Sequence, residues 1–438
     1  MKDPEQGAGA PAAGVLRGAE PREAASPIFG EASIGSPPSA SRSEGAAQPP
    51  TPEKRRKRRK RKRGRKVFAR DGLSAGQSAP PRPEPAPAPA PAPRPPAFAE
   101  EERPPAYAAL DLGTNNCRLL VAVPARRGQF RVIDAFSRIV RLGEGLSLTG
   151  RLSEAAMDRA IDALAVCAAK LQTRRVRKAR LIATEACRSA ENGVAFIDRV
   201  RERTGLELEI IDRQTEARLA VSGCGSLVDR DTRGVALFDI GGGSSEIALV
   251  DLTRERSARL ANNIAAWTSL PVGVVSLAER HGGRHVTPAV FAAMVADVGE
   301  MLAAFAASNP LSEIVEGGQF HLLGTSGTVT TLAGVHLELA RYDRRRVDGL
   351  WMDRANVDAM IERLLGWDYD QRVANPCIGP DRADLVLAGC AILQAIRNAW
   401  PSERLRVADR GLREGMLSEL MAEDGVWRRH RRRGDRRP

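Results

Sequence analysis

The sequence repeats one local pattern, in which an aspartate and a Gly-rich turn stand between two apolar segments. The first copy is YAALDLGTNNCRLLVAV at 107–123, and the second is GVALFDIGGGSSEIALVDL at 234–252. Their aspartates, Asp111 and Asp239, lie 128 residues apart. Each copy is predicted to be a strand, a turn and a second strand, because β-favouring apolar residues flank small turn-forming residues. A chain that repeats such a unit is predicted to fold into two similar α/β lobes.

Strand and helix patterns alternate through the rest of the region from Tyr107 to about Met421. Predicted strands lie at 107–112, 117–123, 129–136, 137–142, 180–184, 206–211, 234–240, 246–252, 319–323 and 404–407. Predicted helices follow Ser153 to about Leu171 and lie at 192–204, 214–223, 273–281, 287–306, 328–340, 353–366 and 383–399. The most apolar stretch, 286–307, contains Asp297 and Glu300, so a buried helix is predicted there and not a membrane span.

The ends of the chain differ from this core. Residues 1–105 are dominated by Ala, Pro, Gly, Ser and charged residues. Such a segment cannot bury enough apolar surface to offset its ordering entropy, so a disordered N-terminal tail is predicted. The core divides into a first lobe at 106–229 and a second lobe at 230–422, whose end is free to pack back on the first lobe. A basic tail is predicted at 423–438.

The net charge of the chain is concentrated in those tails. Residues 54–66 hold twelve Lys and Arg, and 428–437 hold seven Arg against Asp435. These two runs exceed the whole-chain charge of +13, so the rest of the chain is net acidic. The basic runs favour non-specific contact with nucleic acid or another polyanion. A cluster at 174–180 either guides a polyanion towards the site or is a solvated helix end.

The cysteines and the apolar segments bear on the compartment. The six cysteines, at 117, 167, 187, 224, 377 and 390, form no C-x-x-C pair and no zinc-ligand spacing. Such isolated cysteines are typical of a reducing compartment. The first residues lack an apolar signal core, and no window is predicted to span a membrane. A cytoplasmic location without membrane contact is therefore expected.

Three small-residue turns carry the chemistry that the sequence predicts. They are the segments 111–116, 239–245 and 324–328, which read DLGTNN, DIGGGSS and GTSGT. Glycine lets the backbone approach a ligand closely, and converging N–H groups with hydroxyls form a phosphate nest. The aspartates at the strand ends are suited to Mg²⁺, usually through water. Neither G-x-x-x-x-G-K-[ST] nor a helix-opening G-x-G-x-x-G is present.

Further segments extend this pattern to a resemblance. They are ATEACRSAENG at 183–193, QTEARLAVSG at 214–223, LLGTSGTVTTLAG at 322–334, DRADLVLAGCAILQAI at 381–396 and DRGLREGML at 409–417. With the two repeated units, they resemble the Ppx/GppA family of exopolyphosphatases and guanosine pentaphosphate phosphohydrolases. The resemblance implies a two-lobed α/β fold of the actin/sugar-kinase type, which is a duplicated ribonuclease H-like fold. It is to the short form of the family, which lacks a C-terminal helical domain.

The resemblance implies a role for each matching position. Glu216 matches the glutamate that activates the attacking water, and Arg188 matches an arginine that contacts phosphate and offsets developing charge. Metal-site carboxylates are implied at Asp111, Asp239 and Glu246. Phosphate-binding positions are Gly113, Thr114, Asn115, Asn116, Gly241, Gly242, Gly243, Ser244, Ser245, Gly324, Thr325, Ser326 and Gly327. Glu185, beside Arg188, is assigned a supporting role.

The implied function is Mg²⁺-dependent release of terminal phosphate from inorganic polyphosphate. Mn²⁺ is an alternative ion, and a requirement for K⁺ is not decided. Hydrolysis of the 5′-phosphate of guanosine pentaphosphate is the close alternative, because the motifs do not separate the two substrates. A kinase of the same superfold and a polyphosphate- or nucleic-acid-associated sensor remain open as other classes. A homodimer is compatible with the resemblance.

Overall fold

A computed structural model describes residues 104–126, 128–254, 256–257 and 259–427. These residues belong to one compact unit, Ala92–Pro438. The predicted disordered tail lies outside the described residues up to residue 103, and the predicted basic tail does so from residue 428 onward. The boundary between lobes at 229 and 230 stays a prediction.

The described residues form strands β1 to β11 and helices α1 to α14. The strands are β1 Tyr107–Leu112, β2 Asn116–Pro124, β3 Phe130–Ile139, β4 Lys178–Ala183, β5 Glu209–Ile210, β6 Gly234–Ile240, β7 Ser245–Asp251, β8 Ile264–Leu270, β9 Phe320–Thr325, β10 Trp351–Asp353 and β11 Arg404–Val407. The helices are α1 Leu146–Thr149, α2 Glu154–Thr173, α3 Glu185–Ser189, α4 Gly193–Thr204, α5 Arg213–Cys224, α6 Val274–His281, α7 Pro288–Ala307, α8 Ser312–Glu316, α9 Gly327–His336, α10 Arg344–Val347, α11 Arg354–Gly366, α12 Tyr369–Ala374, α13 Val386–Ala399 and α14 Leu412–Glu423.

The strands form two sheets with the same topology. Sheet I has the order β3-β2-β1-β4-β5, and sheet II contains β8-β7-β6-β9-β11 with β10 added at its edge. In each sheet the first strand of the repeat pairs antiparallel with the second, and the second pairs antiparallel with the third. The fourth strand runs parallel to the first, and the fifth runs parallel to the fourth. The predicted duplication and the two-lobed α/β fold are therefore confirmed.

Individual elements differ from the sequence-based expectations. The two strands expected at 129–136 and 137–142 are the single strand β3, which pairs with β2 along its length through an irregularity between Val121 and Ala122. The strand expected at 206–211 is only two residues long, because Leu206 and Leu208 are buried outside the ladder, in the core of the first half. Strands β8 and β10 and helix α14 were not predicted.

Helix α7 also differs from its expected environment. Only one face of it is buried, through Phe291, Met294, Val298 and Leu302. By length and composition it is the one described helix apolar enough to cross a membrane. It packs against α13, and its Asp297 accepts hydrogen bonds from Arg280 at 2.6 Å and His281 at 2.8 Å. This face and its ion pairs identify α7 as a packed surface helix, not the fully buried helix that the sequence predicted.

Two helices, α5 and α14, pack against each other very closely. A Cβ atom on Gly223 would lie 1.9 Å from the Gly411 carbonyl oxygen, and one on Gly415 would lie 2.1 Å from that of Leu219. Only glycine permits backbones to approach to this distance. Helix α14 follows β11 of sheet II but packs on β1 and β4 of sheet I. This crossing brings the first residues of α14, Leu412, Arg413 and Glu414, to the edge where the repeated loops lie.

Candidate active site

The loops of both sheets open onto one cavity of about 660 Å³. The ends of β1, β6 and β9 and the beginnings of α9 and α14 surround it. Most predicted site residues line this cavity. They are Asp111, Gly113, Thr114, Asn115, Asn116, Glu216, Asp239, Gly241, Gly242, Gly243, Ser244, Glu246, Thr325, Ser326 and Gly327. The duplicated turns therefore face one shared space.

The first two loops have the same backbone closure. In the first, the Gly113 amide donates to the Asn116 carbonyl at 2.9 Å, and in the second, the Gly241 amide donates to the Ser244 carbonyl at 2.9 Å. Each loop thus turns back three residues after its glycine, at the end of a strand that carries an aspartate. The sequence repeat is a repeat of local geometry as well.

The two loops also touch each other through Thr114. A Cβ atom on Gly242 would lie 2.9 Å from the Thr114 Cβ, and one on Gly243 would lie 2.9 Å from the Thr114 Oγ1. Any side chain at either glycine would therefore displace the first loop. This contact explains why the second loop carries successive glycines where the first has Thr and Asn.

The third loop uses its hydroxyl groups to hold the scaffold. Thr325 donates to the Arg410 carbonyl at 2.7 Å, and Ser326 donates to the Ile240 carbonyl at 2.7 Å. Ser326 has a φ of 82°, a left-handed conformation that is uncommon for a residue with a side chain. These bonds fix the start of α9 against the second loop and the segment before α14.

Three predicted site residues do not line the cavity. Ser245 is fully buried, and its hydroxyl donates to the Val272 carbonyl at 2.7 Å. Gly324 lies below the surface, where a Cβ atom would meet the Phe238 ring at 2.6 Å, so its glycine serves strand packing. Arg188 lies behind the cavity wall and is bonded to other protein groups. The phosphate-binding roles of Ser245 and Gly324 and the catalytic role of Arg188 stay predictions.

Glu216 lies on the first turn of α5, and its carboxylate faces the cavity. Its Oε2 accepts a hydrogen bond from Arg188 at 3.1 Å. Within the described residues, its Oε1 has no hydrogen-bond donor. Burial raises the pKa of Glu216 well above its ordinary range, and the nearby Glu246 carboxylate raises it further. A carboxylate of this kind can accept a proton near neutral pH.

Arg188 holds Glu216 in place. Its Nη1 donates to the Ile211 carbonyl at 2.6 Å, and its Nη2 donates to Glu185 at 2.6 Å and to Glu216 at 3.1 Å. Arg213 also donates to Glu185 at 2.9 Å. Burial acts to raise the pKa of Glu185, but hydrogen bonds from Arg213, Ser189 and Arg188 outweigh it and lower that pKa. The predicted supporting role of Glu185 fits an ionised carboxylate that accepts hydrogen bonds from several neighbouring side chains.

The carboxylates predicted to hold a metal share the cavity. Burial raises the pKa of Asp111, Asp239 and Glu246, and for Asp239 the neighbouring Asp111 carboxylate adds to a value of about 6. Such uncompensated carboxylates favour a bound cation. The described residues contain no group of three His, Cys, Asp or Glu close enough to hold an ion alone.

The side-chain amides of Asn115 and Asn116 also bear on metal binding. The side-chain oxygens of Asn115 and Asn116 are buried and accept no hydrogen bond from any described residue. Oxygen acceptors of this kind suit the water ligands that Mg²⁺ retains. The donor set therefore fits a largely hydrated Mg²⁺ and does not fit an ion ligated by protein alone.

Arginines that sequence reasoning missed also line the cavity. Arg344 donates to Glu414 at 2.7 Å, and Arg410 pairs with Asp348. In contrast, Arg118 and Arg413 make no hydrogen bond or ion pair with any described residue, although both face the cavity. Burial lowers the pKa of Arg413, so this guanidinium is held with little solvation. Two cations without a partner leave room for an anionic ligand.

The basic cluster at 174–180 does not reach the cavity. Arg174 pairs with Asp134 at 2.9 Å, and Arg177 and Lys178 pair with Asp424 at 3.0 and 2.8 Å. The carboxylates on neighbouring elements therefore neutralise much of its charge. This favours the solvated helix end over a guide for a polyanion.

Fold and site together define a class of protein. Two duplicated α/β halves with buried carboxylates between facing loops that are predicted to bind phosphate are typical of an actin-like phosphatase. The family model described as "Ppx/GppA phosphatase family" matches residues 121–424. The chain belongs to this family, as its motifs predicted.

Individual relatives agree with this assignment. A guanosine-5′-triphosphate,3′-diphosphate pyrophosphatase of Photobacterium profundum is 30% identical over 73% of this chain and 60% of its own length. The chain thus spans three fifths of that relative. Exopolyphosphatase 2 of Mycobacterium tuberculosis is 28% identical over 72% of this chain and 98% of its own length. The crystal structure of the Aquifex aeolicus member of the Ppx/GppA family superposes with a TM-score of 0.57 at 25% identity, over 73% and 98% of the two chains.

Proposed function

We propose that this protein hydrolyses terminal phosphoanhydride bonds of inorganic polyphosphate in a Mg²⁺-dependent reaction. One observation carries the proposal. A single cavity holds the Glu216 carboxylate, one oxygen of which accepts no hydrogen bond from any described residue, opposite two predicted phosphate loops of the same backbone geometry. A base, a phosphate cradle and a carboxylate site for a cation are the parts that phosphoryl transfer to water requires.

The residues of the chain divide the reaction between them. Amides of the loops at 111–116 and 239–245 hold the terminal phosphoryl group, and Arg118 and Arg413 neutralise its outer oxygens. Glu216 Oε1 accepts a proton from a water molecule, whose oxygen forms a bond to phosphorus as the bridging P–O bond breaks. Phosphate and the chain shortened by one unit are the products. Arg188 keeps Glu216 oriented throughout.

The metal is part of the proposal. Asp111, Asp239 and Glu246 would hold Mg²⁺, with Mn²⁺ as an alternative, largely through water ligands. When bound, the ion supplies positive charge beside the phosphates and so stabilises negative charge that develops on them. The described residues do not assign a site for K⁺.

A specific observation favours guanosine pentaphosphate as a second substrate. Beyond the third loop, the cavity wall becomes apolar and includes Ile378, Leu385 and Val386 beside Tyr342. Apolar side chains make no favourable contact with an inorganic polyanion, whereas they can pack against the aromatic face and hydrophobic edge of a nucleoside. The similarity to both an exopolyphosphatase and a guanosine pentaphosphate-type pyrophosphatase supports keeping both substrates.

The tails enter the proposal as accessory elements. The basic runs at 54–66 and 428–437 lie outside the described residues, and we propose that they make salt-dependent contact with polyphosphate or nucleic acid. If the protein is instead a sensor, binding to these polyanions would be its only activity.

A cytoplasmic location and a homodimer remain part of the proposal and can be checked by fractionation and by light scattering.

The deciding experiment measures phosphate release from long-chain polyphosphate and from guanosine pentaphosphate in parallel. The full chain is assayed with Mg²⁺, with Mg²⁺ removed by a chelator, and as Glu216→Gln with Mg²⁺. Release that requires Mg²⁺ and is lost in the variant supports the hydrolase, and the better substrate is ranked by kcat/KM. A folded full chain that releases phosphate from neither substrate overturns the proposal in favour of a sensor.

A further inference from the structure

The segment from the end of β3 into the first turn of α1, residues 140–147, forms a bridge between the two halves of the molecule. On one side its backbone is bonded to the first phosphate loop. The amides of Val140 and Arg141 donate to the Asn115 carbonyl at 2.9 and 3.1 Å, and the Gly143 amide donates to the Thr114 carbonyl at 2.9 Å. A movement of this segment must therefore move the first loop.

The other side of the segment reaches the second half through side chains. Arg141 donates from Nη1 and Nη2 to the two carboxylate oxygens of Asp384 at 2.9 and 3.1 Å, and from Nη2 to the Asp381 carbonyl at 3.0 Å. The bidentate geometry fixes the direction of the guanidinium as well as its distance. Asp384 directly precedes Leu385 and Val386, which line the cavity.

A second contact crosses the cleft at Glu279 of α6. This carboxylate accepts from the Gly145 amide at 2.8 Å and from the Ser147 hydroxyl. The beginning of α6 is bonded to the second phosphate loop, because the Val274 and Val275 amides donate to the carbonyls of Gly241 and Gly242 at 3.0 and 2.8 Å. The contact at Glu279 thus joins two elements that are each bonded to a different phosphate loop.

We propose that Arg141, Glu279 and Asp384 are positioning residues that clasp the cleft shut and set the separation of the two phosphate loops. The proposal rests on the proposed function, since it concerns the geometry of the same site. The backbone of Arg141 supports it, because a φ of 45° is uncommon for a residue other than glycine and here serves to aim the side chain across the cleft. The side chains of Arg141 and Asp384 are 30% and 23% exposed, so water can replace their contact when the cleft opens.

The clasp differs from ordinary surface ion pairs in what it connects. The pair Arg151–Glu191, at 3.0 Å, joins two elements of the first half and crosses no cleft. Removing it should leave the loops where they are. Removing the clasp should lower the population of the closed arrangement and so weaken substrate binding more than the chemical step.

The test compares Arg141→Ala, Asp384→Ala, the double variant and Arg151→Ala as the matched control. Two readouts need no activity: the radius of gyration by small-angle scattering, and hydrogen exchange at the amides of Val140, Arg141 and Gly143. We expect Arg141→Ala to increase both the radius of gyration and the exchange rates, whereas Arg151→Ala changes neither. We also expect the double variant to be no worse than either single variant, because each residue acts through the other.

The kinetic arm separates the clasp from the proposed function. For whichever substrate the wild type hydrolyses, KM should rise roughly tenfold in Arg141→Ala while kcat changes less than about threefold. Unchanged KM, scattering and exchange in this variant would overturn the clasp, even if the wild type is an active phosphatase. A wild type without activity on either substrate would instead count against the proposed function, and the scattering and exchange results would still decide the clasp.

Discussion

The two copies of the strand–loop–strand unit share a backbone but differ in charge at one matched position. In sheet I, Asp111 on β1 lies opposite Arg118 on β2. In sheet II, Asp239 on β6 lies opposite Glu246 on β7. All four side chains line the same cavity. The first copy therefore offers a cation beside its aspartate, whereas the second offers another anion.

This single difference divides the chemistry between the halves. Burial raises the pKa of both Asp239 and Glu246, and the Asp239 carboxylate raises the pKa of Glu246 further. Burial also raises the pKa of Asp111, but Arg118 and Arg413 act to lower it. We propose that the metal lies nearer the second copy and that the outer phosphate oxygens lie nearer the first.

The third strands reinforce the difference. Ser269 on β8 lies opposite Glu246 and donates to its Oε1 at 2.9 Å, together with Ser244 at 2.7 Å. Ser137 on β3 lies opposite Arg118 but makes no hydrogen bond with it. The second copy thus orients its carboxylate with two hydroxyls, as metal ligands are oriented by their neighbours. The arginine of the first copy has no hydrogen-bond partner among the described residues.

The largest effect is expected from Glu216→Gln, which removes the base without touching either copy. Activity should fall by about 10²–10⁴-fold in kcat because the amide cannot accept a proton. The Mg²⁺ concentration for half-maximal activity should stay unchanged if the metal belongs to the second copy. Glu202→Gln, an exposed change on α4, is the matched control. A large shift in the Mg²⁺ requirement would break the division of roles.

The same carboxylate should set the acid limb of the pH profile. The base works only when ionised, and burial and Glu246 raise the pKa of Glu216. Activity should therefore fall as pH decreases through a value above the ordinary range of glutamate. A profile of kcat/KM against pH checks this. An acid limb at the ordinary pKa of an exposed glutamate would contradict Glu216 as the base.

The next effect is expected from Glu246→Gln, which makes the second copy less anionic. Mg²⁺ affinity should fall by roughly 100-fold, because one of two neighbouring carboxylates is lost. Excess Mg²⁺ should restore most of the activity. Asp251→Asn, at the other end of β7, is the control on the same strand. Activity that saturates at the wild-type Mg²⁺ concentration would show that Glu246 holds no metal.

The converse change, Arg118→Gln, tests the first copy. A charge-assisted hydrogen bond to phosphate contributes about 1.5–3 kcal/mol, so kcat/KM should fall by roughly 30-fold. The Mg²⁺ requirement should not change, which is the opposite of the result for Glu246→Gln. Arg131→Gln on the exposed strand β3 controls for loss of charge. If Arg118→Gln and Glu246→Gln changed the Mg²⁺ requirement and kcat/KM equally, the two copies would not differ in function.

The sequence predicted what is encoded within a short stretch of chain. The duplicated loops and both aspartates were found because turn residues and spacing are local signals, whereas Glu216 was assigned through the resemblance of its motif at 214–223. The sequence did not predict which residues lie opposite each other on paired strands. The opposition of Asp111 to Arg118 and of Asp239 to Glu246 was therefore missed. Arg413 reaches the cavity only because α14 crosses from sheet II to sheet I. The hydrogen bond from Arg188 to the Ile211 carbonyl is likewise a tertiary contact without a local signal, while the contact of Arg188 with phosphate stays a prediction.

The smallest effect concerns the glycines that close the two loops. A Cβ atom on Gly113 would meet nothing nearer than the Asn116 carbonyl oxygen at 3.6 Å, whereas one on Gly241 would lie 2.7 Å from the Ser244 carbonyl oxygen. Gly241→Ala should therefore reduce the free energy of unfolding by about 1–3 kcal/mol, as overpacking does. Gly113→Ala should change it by less than about 1 kcal/mol, and urea denaturation of both variants measures the contrast.

This pair of alanine variants separates shape from charge in the comparison of the two copies. Both loops close with the same hydrogen bond, so a difference in stability must come from the space around each glycine. A Cβ atom on Gly241 would meet the Ser244 carbonyl oxygen of its own loop, whereas the space around Gly113 has room for a side chain. Equal losses of stability in both variants would mean that the loops tolerate change alike. The asymmetry between the copies would then rest on Arg118 and Glu246 alone.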